Sequence, residues 1–583
     1  MKSYIKLLDF DQTSLLDFKN KIKEANDTKL EKYLLEYPTV YIVYDQMKAE
    51  YSVYVGETND IVQRTQQHLL NDPNSREDWK YLSESDSSKM FVIGHEYFNK
   101  SLTLDLENKL MHYLSSVDGI KHVYNRRNNL QNSYYTSEYL DDIFSAIWQK
   151  LRRFNKDLFP LESVIKDSAI FKASPFHKLT TEQLEARTQI LTQVQEALLQ
   201  DETGQLILVS GAAGSGKTVL ISSLFYDLSH DILDEDGQVI LKDLDNYLLV
   251  NHEEQLIVYQ QIAERLQLVD SKDKDTISKP TRFINSTMKD KMADVVLIDE
   301  AHLLWTQGKQ AYRGENQLAD ILKKAKVVVA VFDINQVLAT NQYWEKSQLN
   351  KLTQRSTRLI HLKNQMRISS NPAIMKWIRN LVDIGKIGDI PTDLTYDLKI
   401  FDDIKEMHQA IKEKSKNKEK GLSRIIATFD WEFVQKRKPE TEDYWMVREK
   451  DWALPWNLQL KPKDPAIRRK NKLLAWAEQD HTIEEVGSTY TIQGFDLNYA
   501  GVIIGPSVKY RNGRIIFDRK GSKNKNATQQ RTLSDGRKAD FSNQLLKNEL
   551  NVLLTRGVHG LYIYAVDPEL RQALLQADRR NLS

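Results

Sequence analysis

The sequence predicts a multidomain α/β protein: a small α+β unit near the N-terminus, then two larger lobes built on parallel sheets. Three observations predict it. The chain has 583 residues, and at roughly 100–200 residues per domain that gives three to five domains. It is 41% hydrophobic and 9% aromatic, enough to bury sizeable cores. Short tyrosine-rich β runs in the first part give way, after Leu179, to continuous apolar runs separated by helical stretches, the pattern of parallel strands covered on both faces.

Taken in order, residues 1–37 read as a helical extension. Tyr41–Tyr44 and Tyr51–Val55 are β-rich runs joined by a short polar connection, a hairpin. Ile61–Leu70 has helical character, Met90–Ile93 is a short strand, and Leu102–Leu114 is an amphipathic helix. The order ββαβα makes a unit over 38–135. Residues 136–178 read as a helical connector ending in the turn Ser174-Pro175. Leu206–Ser210, Tyr247–Val250, Val295–Ile298 and Val327–Phe332 are the buried strands of a lobe over 179–355. Arg424–Thr428, Val502–Ile504 and Leu561–Ala565 are those of a second lobe over 356–583. Two basic stretches interrupt it, Lys461–Lys472 and Lys509–Lys538; the longer reads as a mobile insertion.

Composition excludes several chemistries. There are no cysteines, so disulfides, thiolate zinc sites and cysteine nucleophiles are absent. A metal must sit on carboxylate, histidine or water, which favours Mg²⁺ or Mn²⁺. With 82 basic and 81 acidic side chains, any nucleic-acid contact must come from local clusters such as Arg468–Lys472 and Arg519–Lys525. Of the ten tryptophans, most are expected in cores. Met1–Gln12 has no apolar signal core and no run approaches about 18 apolar residues. The expectation is a cytoplasmic protein with no membrane partner.

Gly211-Ala-Ala-Gly214-Ser215-Gly216-Lys217-Thr218 follows a buried-strand pattern and opens a helical run, the context a phosphate-binding loop requires. Its backbone N–H groups can cradle phosphates. Lys217 can reach the β- and γ-phosphates and Thr218 can ligate Mg²⁺. Val295–Ile298 runs into Asp299 and Glu300, one carboxylate for Mg²⁺ and one to polarise an attacking water. These residues resemble the core of a superfamily 1 helicase, most closely the Schlafen-type RecA-like ATPases. The resemblance covers about Leu179–Asp567 and its motifs come in family order. It implies that Gln183 reads the adenine, that Asn251-His252 touches a nucleic-acid strand, and that Asp333 and Gln336 belong to motif III, with Gln336 sensing the γ-phosphate. It also implies Arg367 on the phosphates, Thr491–Asp496 as motif V, and Arg556 as the arginine finger. Asp299-Glu300-Ala301-His302 is the form commoner in superfamily 2, whereas the motif V and VI pair points to superfamily 1.

Thr39-Val40-Tyr41 and Tyr54-Val55-Gly56, followed by Arg64, His68, Glu107 and Asn125, resemble the GIY-YIG endonucleases in type and spacing over about Pro38–Arg126. The glycine of the first element is replaced by Thr39, and His68 stands where many members carry tyrosine. Phosphodiester cleavage needs an activated water, a metal on the phosphate and stabilisation of spreading charge. The resemblance implies Glu107 as the metal carboxylate, preferred over the nearby Asp105. Arg64, one helical turn from His68, is the phosphate clamp. His68 or Tyr41 is the group that orients or deprotonates water. Tyr54 lies in the same cleft and Asn125 supports it.

Together these imply an ATP- and Mg²⁺-dependent enzyme that hydrolyses ATP and cuts DNA, with RNA equally admitted. Analogy with nuclease–motor pairings suggests bacterial antiviral defence, in a homo-oligomer or beside a partner protein. The alternative is an ATP-regulated nucleic-acid-binding switch that does not unwind.

Overall fold

The computed structural model describes residues 2–579 apart from 26, 49, 126–133, 212–213, 234–238, 270–274, 287–291, 309–311, 364–371, 417–421, 436 and 473. The chain divides into two compact units, Met1–Lys178 with Tyr259–Asp273, and Leu179–Val258 with Lys274–Ser583. No helix among the described residues is long and apolar enough to cross a membrane.

The first unit is built on one five-stranded sheet in the order β1-β4-β2-β3-β5. Its strands are β1 (Ser3–Asp9), β2 (Thr39–Met47), β3 (Glu50–Thr58), β4 (Lys89–His95) and β5 (Ile120–Val123). All neighbours are antiparallel except β3 and β5. The helices are α1 (Gln12–Glu24), α2 (Ile61–Leu70), α3 (Glu77–Glu84), α4 (Lys100–Leu114) and α5 (Leu140–Phe154). The N-terminal segment, expected to be helical, thus begins as an edge strand. Its register with β4, Ser3 opposite His95 to Asp9 opposite Lys89, supplies the ladder, a non-local pairing that the weak alternation of Ser3–Asp9 does not announce. The core under the hairpin is aromatic: Phe10, Phe18, Tyr41, Tyr54 and Trp79 pack with Leu34 and Val43. Each such side chain contributes about 1.5–3 kcal/mol by leaving water.

The second unit holds two lobes. In the first, the parallel sheet runs β8-β7-β9-β10-β6-β11. It comprises β6 (Gln205–Gly211), β7 (Asn246–Val250), β8 (Ile277–Ser278), β9 (Ala293–Asp299), β10 (Ala325–Phe332) and β11 (Arg358–Leu362). The helices that matter for the site are α6 (Thr181–Leu199), α7 (Lys217–Leu228) and α8 (Glu253–Arg265). Arg358–Leu362 was expected to open the second lobe; it pairs with β6 from Arg358 opposite Ile207 to Leu362 opposite Gly211 and so completes the first. The second lobe's parallel sheet runs β12-β16-β15-β13-β14, with β12 (Asp397–Ile400), β13 (Ser423–Ala427), β14 (Val486–Ser488), β15 (Leu497–Ile504) and β16 (Gly557–Ala565). Helix α9 (Ile404–Lys416) buries Met407 and Ile411 on it, and α10 (Ser542–Leu554) leads into β16.

The insertion expected to be mobile is structured. It forms two hairpins, Val508–Arg511 with Arg514–Phe517 and Arg531–Thr532 with Lys538–Ala539. Arg531 is 2% exposed and reaches into the first lobe. Its Nη1 donates to Thr306 Oγ1 (2.8 Å), Thr340 O (2.7 Å) and Tyr343 O (2.6 Å). Phe541 stacks on Tyr343 at 3.8 Å, and Ser534 bonds Glu345 through N and Oγ. A basic stretch that reads as solvated loop is therefore a clasp between the lobes, because a buried guanidinium finds fixed carbonyl partners there.

Candidate active sites

In the first unit, Asp60 caps α2 by accepting from Val62 N and Gln63 N. Helical spacing then buries Ile61, Thr65 and His68 on one face. The β2–β3 register sets Tyr41 opposite Gly56. A Cβ at Gly56 would lie 2.3 Å from Tyr41 Oη, so glycine makes room for the Tyr41 ring. Tyr41 and Tyr54 share a sheet face with ring centres 6.1 Å apart. Tyr41 Oη lies 2.7 Å from His68 Nε2, and His68 Nδ1 lies 2.6 Å from Asp72 Oδ2. Trp79 stacks on the His68 ring at 3.5 Å and packs tilted against Tyr54 at 4.5 Å.

Electrostatics follow from burial. Burial pushes the Tyr41 hydroxyl well above its usual range, with Tyr54 adding and Arg64 opposing. Burial, then the Arg64 charge, takes His68 down to about 3, so its ring is neutral at working pH. Burial and then neighbouring Glu57 push Glu107 up to about 8. Burial works against the Arg64 charge, and Tyr41, Tyr54 and Asp72 together more than offset it. Asn125 binds the backbone of Val55 at both N (3.0 Å) and O, pinning β3 rather than entering the cleft. Asp105 is taken by Tyr134 at 2.7 Å.

The site fits a divalent ion through its donor chemistry. Glu107 and Glu57 are two carboxylates whose mutual repulsion a cation would relieve. Among the described residues no group of three or more His, Asp or Glu is placed to hold a metal. An ion on Glu107 would complete its shell with water and phosphate oxygens.

In the second unit, the phosphate loop leaves β6 at Gly211 and enters α7 at Lys217. Gly214 (φ 82°) and Gly216 (φ 74°) take the left-handed conformation the tight loop requires, and Ser215 is buried between them. Lys217 Nζ donates to Gly211 O (2.8 Å) and lies 3.7 Å from Asp333 Oδ2. Gln183 is buried in a capping box at the start of α6. Its Oε1 accepts from Thr180 N and its Nε2 donates to Ser215 O (3.2 Å) and Gly216 O (3.3 Å). It thus ties α6 to the phosphate loop. Gln255 Nε2 donates to Asp299 Oδ2 (2.5 Å) and approaches Thr218 Oγ1 (3.4 Å). A donor therefore stands where those two oxygens converge, and the pair fits Mg²⁺ by the same chemistry. Glu300, at φ 51°, sits 3.2 Å from His302 Nε2.

Across the cleft, the fully buried Arg556 donates from Nη2 to Gln336 Oε1 (3.0 Å), while Gln336 Nε2 donates to Asp333 Oδ2 (2.7 Å). Lys217, Asp333, Gln336 and Arg556 thus form one polar chain from the phosphate loop to the second lobe. Gln493 Nε2 adds a bond to Gln336 O (3.2 Å), and Asn548 Nδ2 grips Val337 O (2.8 Å). Arg367 lies outside the described residues. Among the tryptophans of the second lobe, Trp452, Trp456 and Trp476 are buried and Trp431 and Trp445 half-buried. Sequence reasoning missed Asp72, Gln255 and Asn548. Asp72 had a signal, its i,i+4 spacing from His68; Gln255 and Asn548 had none, since their partners are distant in sequence.

A sheet-borne Tyr–His–Arg–Glu cleft in the first unit and, in the second, a phosphate loop facing Arg556 define an enzyme with a nuclease site and a helicase-like ATPase site. Family comparisons agree. Residues 37–118 match the GIY-YIG catalytic domain, and residues 204–567 match the Schlafen group 3 DNA/RNA helicase domain. The chain belongs to the Schlafen group 3 helicase family, with a GIY-YIG domain ahead of the helicase domain. It is similar to the uncharacterized protein YPL245W of Saccharomyces cerevisiae, 33% identical over 474 residues, which cover 75% of this chain and 98% of the yeast one. Among solved structures, it is similar to the Pif1 helicase of Candida albicans at 16% identity and TM-score 0.21, covering 41% of this chain and 55% of that one. A Pif1 structure solved for DNA unwinding at forked duplexes matches at 12% identity and TM-score 0.25, covering 69% and 97%.

Proposed function

We propose that this enzyme cuts DNA at the Tyr41–Arg64–His68–Glu107 cleft and that ATP turnover at the Lys217–Arg556 cleft governs when it does so. The observation that carries it is the polar chain Lys217–Asp333–Gln336–Arg556. A γ-phosphate entering the loop draws Lys217 from Asp333 and gives Arg556 an anion in place of Gln336. Nucleotide binding therefore rewires the contact between the lobes. Thr218 and Asp299 hold Mg²⁺, Glu300 polarises the attacking water, and Arg556 stabilises the charge on the transferred phosphoryl group. At the nuclease cleft, Glu107 would hold a divalent ion, whose chemistry would be Lewis acidity toward the scissile phosphate. Arg64 clamps that phosphate, Tyr41 and His68 take the proton of the attacking water, and Asn125 keeps β3 in register.

A second reading, a nucleotide-controlled clamp without unwinding, is favoured by the Arg531 clasp, which ties the lobes at a point other than the nucleotide cleft. RNA is the alternative substrate. Genome defence is supported by analogy with nuclease–motor pairings alone, and a relative 33% identical to this chain occurs in yeast.

The test is cleavage of supercoiled plasmid and hairpin RNA in Mg²⁺, with and without ATP, by wild type, Glu107→Ala and Lys217→Ala. Loss in Glu107→Ala with altered ATP response in Lys217→Ala is expected. Cleavage untouched by Glu107→Ala sinks the nuclease assignment, and cleavage indifferent to ATP sinks the coupling. DNA-stimulated turnover at motor rates selects the first reading, and ATP-dependent binding with negligible turnover selects the clamp.

A further inference from the structure

Helix α2 ends at Leu70, and Asp72-Pro73-Asn74 forms a single 3₁₀ turn that folds Asp72 back beneath His68. The carboxylate is held from both sides: Oδ2 faces His68 Nδ1 at 2.6 Å, and Oδ1 accepts from Gln67 Nε2 at 3.2 Å. Gln67 Oε1 in turn accepts from Arg64 Nη1 at 2.7 Å. His68 is 1% exposed and sandwiched against Trp79, so its ring cannot flip without breaking the core. A carboxylate only accepts. The nitrogen facing Asp72 must therefore carry the hydrogen, and in the neutral ring the other nitrogen then has a lone pair. That second nitrogen faces Tyr41 Oη at 2.7 Å.

We propose that Asp72 is the positioning residue of the nuclease: it takes the Nδ1–H of His68 and so presents the Nε2 lone pair to the Tyr41 hydroxyl. This rests on the GIY-YIG assignment of the cleft. In the cleavage step the water oxygen bonds phosphorus while its proton passes to Tyr41 Oη. The Tyr41 proton moves to His68 Nε2. The ester P–O electron pair leaves with the departing oxygen, which takes a proton from solvent, and His68 later returns its proton to solvent. The charged groups facing His68 are Arg64, Arg76 and Asp72. Both guanidiniums oppose an imidazolium, so Asp72 is the anion that lets the ring hold the proton in passing.

The inference separates cleanly from the nuclease assignment because the tautomer is read without substrate. Ring ¹⁵N resonances of the full chain, with His68 assigned through His68→Gln, should show hydrogen on Nδ1 in wild type. In Asp72→Asn that signature should be lost. For Mn²⁺-supported cleavage of supercoiled plasmid and hairpin RNA, kcat should fall by about 100-fold with KM within twofold. ATP hydrolysis should be unchanged, which reports that the second unit has folded, and the ring resonances of buried His112 should keep their wild-type positions, which reports that the first has. Asp72→Glu should recover the Nδ1–H form and much of kcat. Hydrogen on Nε2 in wild type, or Asp72→Asn with tautomer and kcat both retained, overturns the inference. Wild type cutting neither nucleic acid while the tautomer behaves as stated overturns the nuclease assignment and leaves the positioning of His68 supported.

Discussion

At Gly56 the whole nuclease cleft depends on the absence of one methyl group. A Cβ there would lie 2.3 Å from Tyr41 Oη and 2.4 Å from its Cζ, so the ring would have to leave the position from which it meets His68. Gly56→Ala is expected to lower cleavage by about 100-fold, since displacements near 1 Å cost that much at a reacting centre, while ATP hydrolysis is retained. Rates within threefold of wild type would show that Tyr41 is not held where the chemistry needs it. Lys217 makes the corresponding point in the second unit. Its contacts with Gly211 and Asp333 hold its charge at the mouth of the glycine-rich loop.

At the scale of an element, α4 carries Glu107 on its cleft side and His112 on its buried side. His112 stacks on Phe171 at 3.7 Å with Nε2 2.9 Å from Phe171 O. Burial first, then His177, hold its pKa well below 6.5. Folded His112 is neutral where the unfolded residue gains a proton. Its contribution is therefore full above pH 6.5 and is lost as pH falls below that value. Between pH 6.5 and 5 the stability of the first unit should fall by up to about 1.4 kcal/mol per pH unit from this residue alone. Urea midpoints across that range should be flatter in His112→Gln than in wild type; parallel curves would remove His112 from the acid response.

At the scale of the molecule, contacts between the two lobes of the second unit include the Gln336–Arg556 bond, the Arg531 clasp and the bond from Trp476 N to Glu254 Oε2 (2.6 Å). The clasp includes an apolar part, Val337 with Ala527, Leu545 and Leu546. Arg531→Ala removes one donor each from Thr340 O, which keeps Tyr343 N, from Tyr343 O, which keeps Thr306 Oγ1, and from the Thr306 hydroxyl, at a cost of about 1–3 kcal/mol. Hydrogen exchange at Thr340–Tyr343 should rise at least tenfold, and ATP hydrolysis should lose its dependence on nucleic acid. Unchanged exchange and unchanged stimulation would reduce the clasp to local packing.

Much of this was determined by the sequence alone. A glycine-rich loop between a buried strand and a helix, and an apolar strand ending in Asp299-Glu300, are local patterns whose chemistry is written in neighbouring residues. Helical spacing likewise placed Arg64 and His68 on α2 before any contact was known. What only the tertiary structure decided lies in partners far apart along the chain. Ser3–Asp9 became a strand because β4 offered it a ladder. Arg358–Leu362 joined the first lobe because β6 had a free edge. Arg531 is buried because Thr306, Thr340 and Tyr343, 188 to 225 residues away, converge on it. Hydrogen bonds and close packing at that separation depend on where the fold brings the chain back to itself, and no local period or propensity encodes it.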